Sequence, residues 1–296
     1  MRFAVLAIGL LGVASAALFA RYGLDRGASA EALSAWRLTV ASLGLVLWRL
    51  AVPAKRRLPS GDRWRAVVAG VFLALHFATW IASLRYVSVA RSTLLVCTAP
   101  VWAGIAGVFV PSLRPRPIFW LGLGIAAVGT WLVTATAKPV ASLIEPAWLG
   151  DLLAVLGAIC IVPYLMISQR LQKGVDTLTT VSWIYASAGA GLLGVLVLEG
   201  AAAPPTSSEV WIAILGMAVF AQLVGHSSLN WCLRHFSPTE VAASTLLEPV
   251  FAGALAWAIL GESVGWLQGL GAAVLLVGVG ISLSAPRAAP PLVTID

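Results

Sequence analysis

Glu248 stands inside the apolar run ASTLLEPVFAGALAWAIL, residues 243–260, with Pro249 directly after it. A carboxylate among so many apolar neighbours is costly, and ionisable groups kept in such places mark pathways, relays or counter-ions. Three kinds of work suit it. It can exchange a proton with a coupled gradient, balance a cationic or amino-bearing solute, or hydrogen-bond the backbone of a neighbouring helix. Other polar side chains fall in similar runs: Arg37, His76, Trp80, Tyr164, Gln222, His226 and Asn230. His76 and Trp80 are four apart and share one helix face, and Gln222, His226 and Asn230 repeat that spacing as a stripe. Such a stripe lines a pathway or ties helices together at about 0.6–2 kcal/mol per contact. A Trp indole beside a cavity stacks on aromatic or cationic solutes. For Arg37 the alternatives are outward snorkelling and pairing with Glu248.

The elements that must hold these groups follow from composition. The chain has 296 residues, 60% hydrophobic and 10% charged, with a mean hydropathy of +0.94. A soluble domain is about a quarter charged, so this is an all-α integral membrane protein. Apolar runs predict ten transmembrane helices over 3–20, 32–52, 65–84, 89–110, 118–136, 148–168, 178–198, 210–233, 239–260 and 265–284. Ala14-Ser15-Ala16 imitates a signal-peptide cleavage site, but the first run continues past it and is needed as the first helix.

Loop charges orient the chain. With the N-terminus cytoplasmic, the outer loops hold only Arg21, Arg26, Arg85, Arg91 and Lys138. The inner side collects the remaining Lys and Arg apart from Arg37, which places both termini inside. The net charge of +7 is therefore topological. It forms no continuous stripe for nucleic acid.

The two halves echo each other. LRYVSVARSTLLVCTAPVWAG (84–104) aligns without a gap on LRHFSPTEVAASTLLEPVFAG (233–253), pairing Ser88 with Ser237, Pro100 with Pro249, and Gly104 with Gly253. Leu24, Gly27 and Trp36 likewise match Leu171, Gly174 and Trp183. Each repeat thus has five helices, residues 1–140 and 148–286, followed by a cytoplasmic tail at 287–296. An odd number of spans inverts the second copy, a construction that puts binding sites near midplane where the copies meet. Counting 1.5 Å per residue, Glu248 lies roughly 14 Å deep in a core about 30 Å thick. Pro100 and Pro249 each free a carbonyl one turn earlier, and paired interruptions of this kind point to a site or a hinge. The mate of Glu248 is Ala99, so the carboxylate is an asymmetric addition.

LHFATWIASLRYVSVARSTLLV (75–96), TAPVWAG (98–104), GDLLAVLGAICIVPYLMISQRL (150–171) and LEPVFAGALAWAILGES (247–263) resemble the EamA-type transporters of the drug/metabolite transporter superfamily. The resemblance covers nearly the whole chain. The first repeat departs from it: where members often carry a second Leu-Gly-Glu, this chain has Pro111-Ser112-Leu113. The resemblance implies a ten-helix inner-membrane carrier whose central cavity is lined by helices 1, 3, 4, 6, 8 and 9. It also implies export of small metabolites such as amino acids or related compounds.

The expected function is a secondary transporter in a bacterial-type inner membrane, working by alternating access as a monomer or homodimer. His76, Trp80, Tyr164, Gln222, His226 and Asn230 are its candidate solute contacts. Glu248 and Arg37 are its coupling or structural charges, with proton coupling among the readings, and Pro100 and Pro249 are its hinges. The alternatives are a flippase for lipid or lipid-linked sugar, and a scaffold without transport. The chain carries no H-E-x-x-H, no G-x-S-x-G and no phosphate-cradling glycine loop, so no enzyme activity and no cofactor is expected. Cys97, Cys160 and Cys232 fit no metal spacing and read as small buried hydrophobes.

Overall fold

The computed structural model describes residues 1–53, 57–110, 114–134, 145–260 and 265–284. The tail at 287–296, Pro111-Ser112-Leu113, Gly261-Glu262, most of the mid-chain connection, and Lys55, Arg56, Lys138 and Arg287 lie outside these residues. All regular structure among the described residues is helical. The chain runs α1 (Arg2–Leu24), α2 (Ala30–Ala51), α3 (Ser60–Ser83), α4 (Val89–Val96), α5 (Ala99–Val108), α6 (Pro117–Thr134) and α7 (Ala147–Leu171). It continues through α8 (Thr177–Leu198), α9 (Ser208–Gly216), a π-helical stretch Met217–His226, α10 (Ser227–Cys232) and α11 (Pro238–Ser244). A 3-10 turn, Thr245–Leu247, then leads into α12 (Glu248–Leu260) and α13 (Trp266–Ser284).

Eight of these segments are long and apolar enough to cross a membrane, counting α4 with α5 as Val89–Val108 and α9 through α10 as Ser208–Cys232. The other two apolar runs of the sequence correspond to α6, which is shorter, and to the interrupted α11–α12.

Helix starts are written locally. Ser29, Ser88, Asp176, Ser207 and Ser237 are N-caps, each accepting a backbone N–H three residues on. Ser237 completes a capping box, because its own N–H donates to the Glu240 carboxylate at 2.5 Å. These caps satisfy donors that a helix end otherwise leaves orphaned. The fourth and ninth apolar runs both break just before their proline. α4 stops at Val96, ahead of Pro100, and α11 with its 3-10 turn stops at Leu247, ahead of Pro249. Each proline is thereby the second residue of the next helix, where its missing N–H costs nothing.

Packing relies on small residues. The seam between α6 and α13 is tight: a Cβ at Gly129 would stand 2.4 Å from the Leu275 nitrogen, and one at Gly278 would stand 2.3 Å from the Ala126 nitrogen. Gly122 meets Gly278, and Gly129 meets Gly271. Both Gly122 and Gly271, and Gly129 and Gly278, are 149 residues apart, the same interval as Ser88 to Ser237 and Pro100 to Pro249. Elsewhere α2 packs on α8, α3 packs on α7 and α8, and α1 packs on the π stretch. Gly12 of α1 touches Gly225 so closely that a Cβ would lie 2.6 Å from its Cα. One apolar core extends through the interfaces of α1, α2, α3, α7 and α8, and a second, smaller one lies at the α6–α13 seam.

Candidate functional site

A cavity of about 60 Å³ lies where six of the apolar runs meet. α1 contributes Val13 and Ala16, α3 contributes His76, Phe77 and Trp80, and the α4–α5 break contributes Val96, Cys97 and Ala99. Ile161 and Leu165 come from α7, His226 and Leu229 from the π stretch and α10, and Val241, Thr245 and Glu248 from the second broken helix. These are the first, third, fourth, sixth, eighth and ninth runs, the set that the family resemblance implies. The volume admits a few water molecules and is well below that of an ordinary ligand pocket. A molecule larger than a few waters therefore enters only if the walls move.

Glu248 opens α12 and is half-buried at the cavity wall. Negative charge is favoured at a helix N-terminus. No hydrogen bond or ion pair to the described residues holds its carboxylate. The proline after it frees the Thr245 carbonyl, which accepts the Glu248 N–H and the Cys97 thiol, the latter at 3.6 Å. The broken helices of the two halves thus touch at the cavity.

The α3 wall is aromatic. His76 and Trp80 lie on the same face with rings nearly parallel, 9° apart at 6.3 Å between centroids. His76 is fixed by a 2.8 Å hydrogen bond between Nδ1 and the Gly157 carbonyl of α7. Across from it, His226 meets Phe77 edge-on at 5.1 Å and 88°. The Trp80 indole N–H is buried and finds no acceptor among the described residues.

The Gln222–His226–Asn230 stripe divides. Only His226 lines the cavity. Asn230 is buried against α7, donating to the Tyr164 hydroxyl and accepting from Ser168. Gln172 Nε2 donates to the Asn230 carbonyl at 2.8 Å. Gln222 turns toward α2, where its Oε1 accepts from Arg37 Nη2 at 2.9 Å. Ten residues of π-helix precede Asn230, so the four-residue spacing does not carry the facing that an α-helix would give it. Tyr164, Gln222 and Asn230 therefore sit behind the cavity wall rather than on it.

Arg37 corrects both sequence alternatives. Its side chain is fully buried and does not snorkel. Among the described residues no carboxylate lies within ion-pairing distance of it, Glu248 included. Its guanidinium instead lies 3.9 Å over the Phe77 ring. Phe77, Cys97 and Thr245 are cavity residues that polarity and spacing did not single out. Phe77 carries no polar signal, and Cys97 reads as filler until its neighbour across the halves is known. Pro100 and Pro249 stand at the two breaks, and Gly104 packs against Trp120 of α6. Among the described residues no group of three or more His, Cys, Asp or Glu could hold a metal ion.

Comparison with known proteins agrees with this architecture. The chain is 24% identical over 280 residues to an uncharacterized transporter of Archaeoglobus fulgidus, covering 93% of this chain and 94% of that protein. It is 29% identical over 228 residues to the uncharacterized transporter YdeK of Bacillus subtilis, covering 75% of each. A crystal structure with 18% identity superposes with a TM-score of 0.73 over 95% of this chain and 97% of its own, a likeness of fold. The model of the EamA-like transporter family matches residues 3–135 and again 148–284. The chain belongs to the EamA-like transporter family.

Proposed function

We propose that this protein is a secondary transporter of small organic solutes, moving them by alternating access around the six-helix cavity. Glu248 is its coupling group. The observation that carries this reading is the carboxylate itself: it faces the cavity without a partner among the described residues, where a residue kept to tie helices together would be bonded. The aromatic wall of His76, Trp80, Phe77 and His226 supports an organic solute over a bare ion. The volume of the cavity supports a moving wall, and the breaks before Pro100 and Pro249 supply hinges for it.

Ten spans in two inverted five-helix repeats, 1–140 and 148–286, fit the packing. The reciprocal glycine contacts across α6 and α13 are as expected of a two-fold axis. So is the exchange of partners, in which α3 packs on α7 while α1 packs on the helix that repeats α3. The loop charges favour cytoplasmic termini, and the family resemblance supports a bacterial-type inner membrane and export of metabolites such as amino acids. Overexpression selection for resistance to toxic metabolite analogues identifies the solute, and flux of that solute into proteoliposomes then tests the reading. Trp80→Ala is expected to change the ranking of solutes while the yield of folded protein stays near wild type. Equal loss of folded protein and of every flux would make Trp80 a packing residue and remove it from the pathway.

A further inference from the structure

Arg37 is a buried cation with more donors than the protein satisfies. Gln222 Oε1 takes one N–H of Nη2, and Nε and Nη1 meet no acceptor among the described residues. Nη2 carries two N–H groups, so one complete edge of the guanidinium fork stays open whichever of them Gln222 uses. The Gln222 side-chain nitrogen likewise meets no acceptor within hydrogen-bond geometry among the described residues. Every unmatched group here is a donor, and the centre is positively charged. A two-oxygen anion, a carboxylate above all, fits such an edge in both geometry and charge. Uncompensated burial of a guanidinium is costly enough that proteins retain it only where something balances it. In the register of the two halves, the residues standing in place of Arg37 and Gln222 are Ile184 and Leu73. Duplication therefore imposes neither.

One ring separates this cation from the cavity. Phe77 lies under the guanidinium at 3.9 Å and also lines the cavity beside His226. Trp80, one turn along the same wall, offers a further unmatched N–H. We propose that Arg37, steadied by Gln222, is a carboxylate site for the transported solute, reached when Phe77 turns aside as the cavity opens. The solute is then an organic acid, with its acidic head toward Arg37 and its body between the aromatic wall and Glu248. This rests on the cavity being the solute pathway.

The test uses the full chain in detergent with acetate, benzoate and phenylacetate, each against its neutral amide. Binding is read by equilibrium dialysis and by thermal shift. At least one acid is expected to bind tenfold or more tighter than its amide. Arg37→Lys, which keeps the charge and loses the fork, is expected to abolish that preference, and Gly280→Ala, on a helix that does not line the cavity, to retain it. Acids that bind no better than amides in the wild type overturn the proposal. So does an acid preference that survives Arg37→Gln, or equal protection by chloride or phosphate, which assigns the cation to an inorganic ion. If the Arg37 variants fail to fold, Gln222→Glu decides instead: it sets a carboxylate of the chain's own beside the fork and is expected to abolish the acid preference, and a preference that survives it overturns the proposal. Acid-selective binding without flux in liposomes would uphold the site and remove the transport reading, so the two fail separately.

Discussion

Asp176 shows how much one side chain does outside the membrane core. It caps α8 through the Thr179 N–H at 2.9 Å and takes Arg49 of α2 at 2.6 Å, joining the two helices at one end of the bundle. Partial burial raises its carboxyl. The Thr179 N–H, the Arg49 guanidinium and the Thr179 hydroxyl outweigh that and leave it below the ordinary carboxylate value. A carboxyl lowered by folding contributes stability above its unfolded pKa, about 3.9, and loses it as pH falls through the lower folded value. Asp176→Asn is therefore expected to lower the thermal midpoint at pH 7 by an amount worth about 0.2–1 kcal/mol, given its exposure. The gap to wild type should close below about pH 4. A gap that persists in acid would mean the charge is not what stabilises this end. At this scale the sequence was partly readable. His76, Trp80, His226 and Glu248 reach the cavity as polar groups in apolar helices should. Tyr164, Gln222 and Asn230 carry the same signal but spend it on neighbouring helices, and polarity alone cannot separate the two uses.

Helices in this protein are distinguished by where they break and where they touch. Pro100 and Pro249 announce their interruptions, because a missing N–H and a ring clash act on any helix. The π stretch has no such signature, which is why the facing of Gln222 and Asn230 was misread. The α6–α13 seam was equally hidden: both helices are glycine-rich, but only the packing tells which glycines meet a backbone. Gly278→Val is expected to force these helices apart, costing about 1–3 kcal/mol as overpacking does. Gly280→Ala, where a Cβ would meet nothing within 4 Å, is expected to leave the unfolding midpoint unchanged or slightly raised. Thermal unfolding of the two variants in one detergent makes the comparison. Equal effects would mean that the seam does not hold these helices.

For the whole molecule, matched halves make the frame and mismatched residues make the site. The Ser88 and Ser237 caps, the two prolines and the seam glycines recur at one interval of 149 residues, so the duplication was legible from sequence. Glu248 opposite Ala99, and Arg37 opposite Ile184, were legible as asymmetries. Their surroundings were not, because a cavity built from six helices has no local code. In the proposed mechanism Glu248 couples the cavity to a proton gradient. Flux of the selected solute into proteoliposomes, with and without an imposed pH gradient, tests this in wild type and Glu248→Gln at matched thermal stability. The variant is expected to lose on the order of 90% or more of the gradient-driven component while still binding solute. Gradient-driven flux that is unchanged in Glu248→Gln would contradict this coupling.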